Sequence, residues 1–399
     1  MQSPTAGPRL STLILLSALC ILPINIFLPS LTNMAAEFDV DYAIVGLSLA
    51  AYAAVSALLQ LVLGPLSDRF GRRPVILGGL VIFLVATLGC ILARDIWWFL
   101  TFRLIQAVIA PTYAVALAVV RDTTSKQDAA SKIGYIAMAW AVAPMLGPGF
   151  GGLLDETFGW RASFWFLAAF GVSVLVLCWF DLKETNRSPS DTILEQFRTY
   201  PELIRSRRFW AYTVCMGFSI GAFFAFLAGA PLAANAAFDL SPGVLGLFMG
   251  SITGGFMIGS FLSGRFAGRV RLTTMMLTGR IIACAGLLLG LGLYVTGADH
   301  VLALFGPCML VGLSNGLTLP SANAGVLSVR PKLAGSAAGL AGAFTVMSGA
   351  IMSWIAGMAL SDENVRYGLL VIMLGSAMIA LGAAVAARRY EHLSGSEGV

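Results

Sequence analysis

The most regular feature of the sequence is the alternation of long apolar stretches with short polar segments. An α-helix crosses a bilayer with about 20 predominantly apolar residues, and these stretches reach or approach that length. The pattern therefore predicts two groups of six membrane-spanning helices. The first group comprises residues 10–31, 43–66, 75–93, 97–120, 133–154 and 163–180. The second comprises residues 209–233, 243–264, 273–296, 301–327, 333–360 and 367–387.

The composition agrees with a membrane protein and excludes a soluble domain. Hydrophobic residues make up 58% of the 399 positions and charged residues only 11%, whereas soluble domains carry about 25% charged residues. The first apolar stretch is as long as a full span, and a second span follows it. We therefore expect it to remain in the mature chain rather than to be removed as a signal peptide.

Lysine and arginine are distributed unequally between the predicted loops. With a cytoplasmic N-terminus, 20 of the 25 basic residues lie in the tails and inner loops, and three lie in outer loops. The other two, Arg103 and Arg280, lie within spans. Because positive charge is retained inside, both termini are predicted to be cytoplasmic. The net charge of +5 does not indicate nucleic-acid binding, since the basic residues are dispersed among many loops.

Charge and helix-breaking residues are concentrated between spans two and three, in GPLSDRFGRRP at residues 64–74. Gly64 and Pro65 are expected to end one helix, and Pro74 suits the first turn of the next. An aspartate and three arginines lie between them. They are Asp68, Arg69, Arg72 and Arg73.

This segment resembles, nearly residue for residue, the motif G-x-L-x-D-R-x-G-R-R of the major facilitator superfamily of transporters, including Gly71. The resemblance implies an all-α membrane fold of twelve helices, in two six-helix bundles related by a pseudo-two-fold axis. Asp68 can pair with arginines or with free N–H groups at a neighbouring helix end. The resemblance implies that this contact latches the outward-open conformation. The alternative is that the arginines only retain the loop in the cytoplasm.

The two groups of spans also resemble each other. SGRFAGR at residues 263–269 ends span eight as SDRFGRR at residues 67–73 ends span two, with Gly264 in place of Asp68. A long polar segment separates the groups. We predict an N-terminal bundle at residues 1–182, a cytoplasmic linker at 183–208 and a C-terminal bundle at 209–399. In this superfamily such repeats place the binding site between the halves, near the midplane.

Span five carries a second motif that resembles the superfamily's G-x8-G-x3-G-P-x2-G pattern, which marks antiporters. Its residues here are Gly134, Ala143, Gly147, Pro148 and Gly151, with Ala143 replacing one glycine. Small residues let backbones approach closely, and proline removes a helix donor. The segment is therefore expected to kink and to pack tightly against a neighbouring helix. Residues 147–152 also match G-x-G-x-x-G, but no strand precedes them, so a dinucleotide site is excluded.

Arg103 in span four opens the sequence RLIQA, which resembles the superfamily's R-x-x-Q-G. An arginine within a span costs at least about 2.5–3.5 kcal/mol, so it needs a polar partner. Arg103 is predicted to face the central cavity, where it binds substrate or senses proton movement, unless it extends to the outer interface. For Arg280 the two interpretations, function and extension to the interface, stay open.

Span one contains LPINIFLPS at residues 22–30, which looks like the D-x-Y-L-P-A segment of Bcr/CflA drug-resistance transporters. Asn25 stands at the acidic position and Phe27 at the tyrosine. No Asp or Glu lies deep in any predicted span, so the proton-coupling residue is left open. Asp122 and Asp68 are the nearest candidates, although each also suits a structural role at a helix end.

Other polar and aromatic residues lie in spans that line the transport pathway of this superfamily. A cavity rich in aromatic side chains and poor in fixed charge favours amphipathic molecules of varied shape. The candidates for such a cavity, with Asn25 and Arg103, are Tyr52, Gln60, Gln106, Tyr113, Tyr135, Trp140, Phe223, Phe224, Asn315 and Asn323.

Taken together, the chain resembles a Bcr/CflA-type exporter of the bacterial inner membrane, which extrudes drug-like compounds in exchange for protons. Its expected partners are a small molecule, protons and the lipid bilayer, without nucleic acid, and it is expected to work as a monomer. We expect no cofactor, metal site or disulfide, and no enzymatic activity. An uptake carrier or facilitator for a small metabolite is the first alternative. A polytopic membrane enzyme or receptor is the second.

Overall fold

The computed structural model describes residues 7–124, 126–186, 200–266, 269–297, 300–330, 333–361 and 363–396. Within its helices, the side chains of residues 126–131, 134, 137–141, 145, 200, 334–335, 366 and 392–396 are not described. Every regular element of the described residues is a helix.

The first half of the chain forms the helices that correspond to spans one to six. They are α1 (Leu10–Asn25), α2 (Leu31–Phe38), α3 (Tyr42–Phe70), α4 (Arg72–Ile91), α5 (Ile96–Gln106), α6 (Thr112–Thr123), α7 (Lys126–Phe158) and α8 (Arg161–Asp181). Short 3₁₀ turns at Leu28–Ser30 and Ala107–Ile109 join α1 to α2 and α5 to α6.

A short helix, α9 (Tyr200–Ile204), precedes the six long helices of the second half. These are α10 (Arg207–Phe238), α11 (Pro242–Phe266), α12 (Leu272–Val295), α13 (Val301–Val329), α14 (Ala334–Ala359) and α15 (Val365–Ser396). Eleven stretches of the described chain are long and apolar enough to cross a membrane. Span five of the prediction lies in α7, which is 33 residues long.

The prediction that Gly64 and Pro65 end a helix is wrong. The α3 helix continues through Pro65 to Phe70, and the chain reverses at Gly71, whose φ is 99°. A proline within a membrane helix removes one backbone hydrogen bond without ending the helix when its surroundings are packed, and Pro65 is buried. The left-handed backbone at Gly71, accessible to a residue without Cβ, makes the turn instead.

Spans one and four are interrupted, although the sequence predicts each as continuous. Regular helix ends at Asn25, four residues before Pro29, and at Gln106, five residues before Pro111. A proline ring clashes with the carbonyl four residues earlier, which places both interruptions at these points. Asn25 and Ala110, which lie beside the two interruptions, line the cavity described below.

The two halves meet along two pairs of long helices. The α3 helix packs along α14, and α7 packs along α11. We call the end of the molecule that carries Arg69, Arg72 and Arg73 the basic end, and the other the opposite end. The basic end is the one that the sequence predicts to be cytoplasmic.

Candidate functional site

A cavity of about 280 Å³ lies between the two halves. Its wall is built from both, with Asn25 and Tyr52 contributed by α1 and α3, and Phe224 and Asn315 by α10 and α13. The surrounding side chains are mainly aliphatic and aromatic. Such a lining binds apolar surface, and the few polar groups orient the bound molecule.

The cavity continues toward the basic end into a wider space of about 480 Å³. The two volumes share Ser56, Phe256 and Thr345, among others, so they form one continuous pathway. The wider part is lined by Gln60 of α3 and Asn323 of α13. In the described residues that line either part, there is no Asp or Glu.

At the opposite end the two halves are in direct contact. The carboxylate of Glu156, near the end of α7, accepts a hydrogen bond of 3.0 Å from the backbone N–H of Gly243 at the start of α11. The hydroxyl of Tyr42, the first residue of α3, donates to the carbonyl of Ala228 in α10. The pathway therefore extends from the middle of the molecule toward the basic end and is closed at the other.

Eight of the predicted cavity residues line this pathway. They are Asn25, Tyr52, Gln60, Tyr113, Phe223, Phe224, Asn315 and Asn323. Arg103 and Gln106 are fully buried within the first half, behind the cavity wall. The side chain of Tyr135 is 51% exposed and does not border the spaces described above. The Trp140 side chain lies outside the described residues.

Small hydroxyl residues also line the pathway, and the sequence analysis did not single them out. Ser56, Thr253 and Thr345 contribute hydroxyl groups from α3, α11 and α14. Serine and threonine are common in membrane helices, where they often bond to the carbonyl one turn earlier, as Thr345 does to Ala341. Their types alone therefore carry no signal for the cavity. Only their position on an inward helix face would have indicated it.

Arg103 is held by a set of neutral acceptors and by aromatic rings. Its Nε donates to the carbonyl of Ser48 at 3.2 Å, and one Nη donates to that of Pro23 at 2.6 Å. The other Nη bonds to Gln106. The guanidinium carbon lies 4.2 Å from the ring centroid of Tyr52 and 4.3 Å from that of Phe27. Each of the three guanidinium nitrogens thus has an acceptor, and the charge lies directly behind Tyr52.

Arg280 is held in the second half by hydroxyl and amide groups. Its Nε donates to Thr318 Oγ1 at 3.1 Å, and Nη2 donates to Ser314 Oγ at 2.6 Å and to Asn315 Oδ1 at 2.8 Å. The side chain is fully buried. Arg280 thus joins α12 to α13 and does not extend to a membrane surface.

The motif between α3 and α4 forms a cluster of charges at the basic end. Arg72 contacts both predicted coupling residues, Asp68 at 2.5 Å and Asp122 at 3.2 Å. It also donates to Ser67 Oγ at 2.6 Å. Arg72 therefore bridges the two aspartates through different nitrogens, and a change in the charge of either aspartate alters the field at the other.

Glu184 completes this cluster, and the sequence analysis assigned it only to the linker. Its carboxylate accepts hydrogen bonds from the backbone N–H groups of Arg72 at 3.0 Å and Arg73 at 3.1 Å, at the first turn of α4. Carboxylates are favoured at helix N-termini because free N–H groups point there. Glu184 follows Gly71 by more than 110 residues, so sequence spacing gave no indication of the contact. A Cβ at Gly71 would overlap this carboxylate.

The glycines of the span-five motif lie where α7 crosses its neighbours. A Cβ at Gly151 would overlap the carbonyl oxygen of Ile26, next to the interruption of span one. A Cβ at Gly152, the residue after the motif, would overlap the carbonyl oxygen of Pro242 in α11, and Gly147 lies against Leu22 and Asn25. Pro148 is buried, Ala143 is half-buried, and the surroundings of Gly134 are not described. Gly151 and Gly152 thus allow α7 to contact both halves closely.

Two six-helix bundles that enclose a shared cavity, open toward one end and closed at the other, define a polytopic carrier. A family model described as the Major Facilitator Superfamily matches residues 13–354. The chain belongs to this superfamily and is a transporter of that class.

Two similar proteins are bacterial. The chain is 30% identical over 392 residues to the uncharacterized MFS-type transporter YdgK of Bacillus subtilis (strain 168), covering 95% of this chain and 96% of that one. It is 28% identical over 352 residues to the multidrug resistance protein MdtL of Escherichia coli O127:H6, covering 87% and 88%.

The fold is shared with solved transporters of low sequence identity. The crystal structure of a D-xylose-proton symporter superposes with a TM-score of 0.76 at 14% identity, covering 95% of this chain and 96% of that one. A bacterial homolog of the human lysosomal transporter Spinster gives a TM-score of 0.75 at 16% identity, with the same coverage of both chains. These similarities establish the fold.

Proposed function

We propose that the protein exports small amphipathic compounds, including antibiotics, across the bacterial inner membrane by alternating access. The observation that carries the proposal is the continuous pathway of about 280 and 480 Å³, walled by both halves and lined mainly by apolar and aromatic side chains. A sugar or another polar metabolite requires many directed hydrogen bonds, and this lining offers few. Amphipathic molecules bind to it through buried apolar surface.

The direction of transport rests on α7. The motif that resembles that of antiporters brings α7 against Ile26 through Gly151, and the carbonyl oxygen of its Pro148 lies where a Cβ on Gly246 of the other half would be. This crossing belongs to the closed, opposite end. A helix that packs tightly in the closed state and separates when the end opens suits an obligatory exchange cycle, in which the empty carrier does not reorient freely.

Proton coupling is assigned to the cluster of Asp68, Arg72 and Asp122. The arginine bridges the two carboxylates in the present conformation, in which the pathway extends to the basic end. In the other conformation a charged Asp68 pairs with the end of a helix in the other half, and a protonated Asp68 does not, so protonation favours the present conformation. This exchange of partners is the proposed latch between conformations.

Membership of the Bcr/CflA branch is part of the proposal. Its support is the segment around Asn25 and the 28% identity to MdtL, a multidrug resistance protein. The proposed location is the inner membrane, as for the exporters of that branch, and the distribution of arginine and lysine supports cytoplasmic termini. We further propose bundles at residues 1–182 and 209–399, a linker at 183–208, and a functional monomer.

The proposal is tested in an efflux-deficient bacterial strain that expresses the chain. Accumulation of chloramphenicol and of a panel of other antibiotics is measured with and without a protonophore, against an empty-vector control. Lower accumulation that the protonophore restores supports proton-driven export. Unchanged accumulation across the panel, together with higher accumulation of a metabolite, would replace the exporter with an uptake carrier.

A further inference from the structure

The predicted spans contain an unbalanced set of charges. Arg103 and Arg280 are the two basic residues within them, and none of the twelve spans contains an Asp or a Glu. Intramembrane charges are normally paired with opposite charges or mark a ligand pathway. The membrane-embedded part of this protein thus carries two positive charges without an acidic residue to balance them.

The partners of Arg280 stabilise its guanidinium without neutralising it. Thr318, Ser314 and Asn315 are all uncharged acceptors. The remaining nitrogen, Nη1, is buried and has no hydrogen-bond partner among the described residues. Hydrogen bonds from neutral groups reduce the cost of burying a charge but leave its field in the surroundings.

Asn315 connects this charge to the cavity. Its Oδ1 accepts from Arg280, and its side chain forms part of the cavity wall. The amide nitrogen of Asn315 donates a hydrogen bond to the carbonyl of Ser219 at 3.1 Å. This bond uses one of the two amide hydrogens. A second hydrogen of the amide is left for a bound molecule. The charge of Arg280 lies one side chain behind the wall.

In the first half, the charge of Arg103 also lies one side chain behind the cavity wall. The guanidinium carbon of Arg103 lies 4.2 Å from the ring centroid of Tyr52, which borders the cavity from the other side. The Tyr52 hydroxyl has no hydrogen-bond partner in the described part of the chain. A cation over its ring makes that hydroxyl a better donor. The cavity is therefore flanked by a buried cation on each side, where low dielectric weakens screening.

We infer that the cavity selects amphipathic anions, molecules with an apolar body and one carboxylate or similar group, over amphipathic cations of the same shape. The apolar body packs against Phe223 and Phe224, and the anionic group accepts hydrogen bonds from Asn315 and Tyr52. This inference rests on the proposed function only in taking the cavity as the substrate site. Arg280 acts through Asn315 as a positioning and selectivity residue.

Three probes of one shape test the inference. The purified full-length protein in detergent is titrated calorimetrically with 2-naphthoate, 2-naphthamide and 2-naphthylmethylammonium. We expect naphthoate to bind at least tenfold more tightly than the ammonium compound, with the neutral amide between them. Equal or tighter binding of the ammonium compound would overturn the inference, as would the absence of binding by all three.

Two substitutions at Asn315 distinguish the effect of charge on probe binding from the effect of packing. The selectivity is expressed as the dissociation constant of the ammonium compound divided by that of naphthoate. Asn315→Asp places a carboxylate next to Arg280 and is expected to reduce this ratio to about one or below one. Asn315→Leu, the matched control, removes the amide but leaves the field of Arg280, so naphthoate is expected to keep a reduced preference over the ammonium compound. A packing defect weakens all three probes together and leaves the ratio unchanged. An unaltered ratio in Asn315→Asp, with thermal unfolding like the wild type, would therefore contradict the role of Arg280.

Arg280→Gln provides a second measurement, since it removes the charge and retains hydrogen-bonding groups. Its expected ratio is intermediate between those of the wild type and Asn315→Asp, and a ratio at the wild-type value counts against the inference. The outcomes are distinguishable from failure of the proposed function. Protonophore-sensitive export of cationic drugs, with no preference for naphthoate, would keep the exporter and remove the anion selectivity.

Discussion

At Gly71 the backbone adopts φ 99° and ψ 155°, a region that is almost restricted to glycine and costs other residues about 1–3 kcal/mol. The absence of a Cβ also leaves room for the carboxylate of Glu184, which accepts from the first N–H groups of α4. One residue thus makes the turn and admits the group that caps the next helix.

Gly71→Ala is therefore expected to lower stability by about 1–3 kcal/mol from backbone strain and to displace Glu184. The measurement is thermal unfolding of the purified protein together with export in cells. Gly64→Ala is the matched control, because a Cβ there meets no atom within 4 Å. Equal behaviour of the two variants would show that the turn does not depend on Gly71.

Position 103 requires the forked guanidinium of an arginine. This group reaches the carbonyls of Ser48 and Pro23 and the side chain of Gln106 simultaneously. Lysine carries the same charge on a compact group and does not span these acceptors. Arg103→Lys is expected to lower the unfolding temperature, because each buried acceptor left unpaired costs about 1–3 kcal/mol. Arg94→Lys, on an exposed loop, is expected to leave it unchanged. An unaltered unfolding temperature in Arg103→Lys would mean that charge alone is required.

At the scale of a helix, α7 packs closely against both halves. Its glycines lie against the backbone of Ile26 and of Pro242, so the neighbouring main chains, rather than flexible side chains, define the available space. Backbone cannot move away without shifting a whole helix. The packing of α7 is therefore sensitive to a single added methyl group, unlike most helix surfaces.

Gly151→Ala is expected to abolish or strongly reduce transport, because its Cβ would overlap the Ile26 carbonyl oxygen and separate α7 from α1. Gly254→Ala in α11 is the control, since its Cβ meets nothing within 4 Å and alanine favours helix by about 1 kcal/mol over glycine. Both variants are measured for membrane insertion and for drug accumulation. Full transport by Gly151→Ala would show that close approach at this crossing is not needed.

At the scale of the whole molecule, the proposed cycle exchanges the closed opposite end for a closed basic end. In the present structure Asp68 pairs with Arg72. If Asp68 stabilises the other conformation more than its pairing with Arg72 stabilises this one, as the proposed latch requires, removing its charge shifts the population toward the present conformation. Coupling of this kind is typically worth about 1–3 kcal/mol, or about 5- to 150-fold in an equilibrium.

Asp68→Asn is accordingly expected to reduce transport about tenfold or more, within the range of such coupling, while leaving membrane insertion intact. The conformational shift is measured by cross-linking cysteines introduced as Ala43→Cys and Gly357→Cys, since the Cα of Ala43 lies 4.0 Å from the position of a Cβ on Gly357. Asp68→Asn is expected to increase the cross-linked fraction.

Glu202→Gln controls for loss of an acidic residue elsewhere, because its ion pair with Arg330 is exposed and surface pairs contribute little. It is expected to transport and cross-link like the wild type. Wild-type transport by Asp68→Asn would instead show that the loop between α3 and α4 only sets the membrane topology.

Much of the fold could be predicted because the local sequence determines where membrane helices form. Backbone hydrogen bonds must be satisfied within each span, so the predicted apolar stretches are helical, although α7 begins at Lys126 rather than 133 and α15 ends at Ser396 rather than 387. The exceptions are instructive. Pro65 does not end α3, whereas Pro29 and Pro111 coincide with interruptions of spans one and four. A single proline has the same local chemistry at all three places, and only packing distinguishes them.

The candidate site was predictable in part. Asn25, Tyr52 and Asn315 line the cavity as expected from polar residues in apolar spans. Arg103 lies behind the wall, because the rings of Tyr52 and Phe27 cover it. Residue type indicates that a side chain needs a partner, but not which neighbour supplies it.

The sequence by itself determined the helical membrane fold, the two groups of spans and the absence of acidic residues within them, since each follows from local composition. The tertiary structure alone decided that Glu184 caps α4, that Arg72 bridges two aspartates, and that Asn315 stands between Arg280 and the cavity. These contacts join residues from separate helices, whose rotation and depth depend on packing rather than on spacing along the chain.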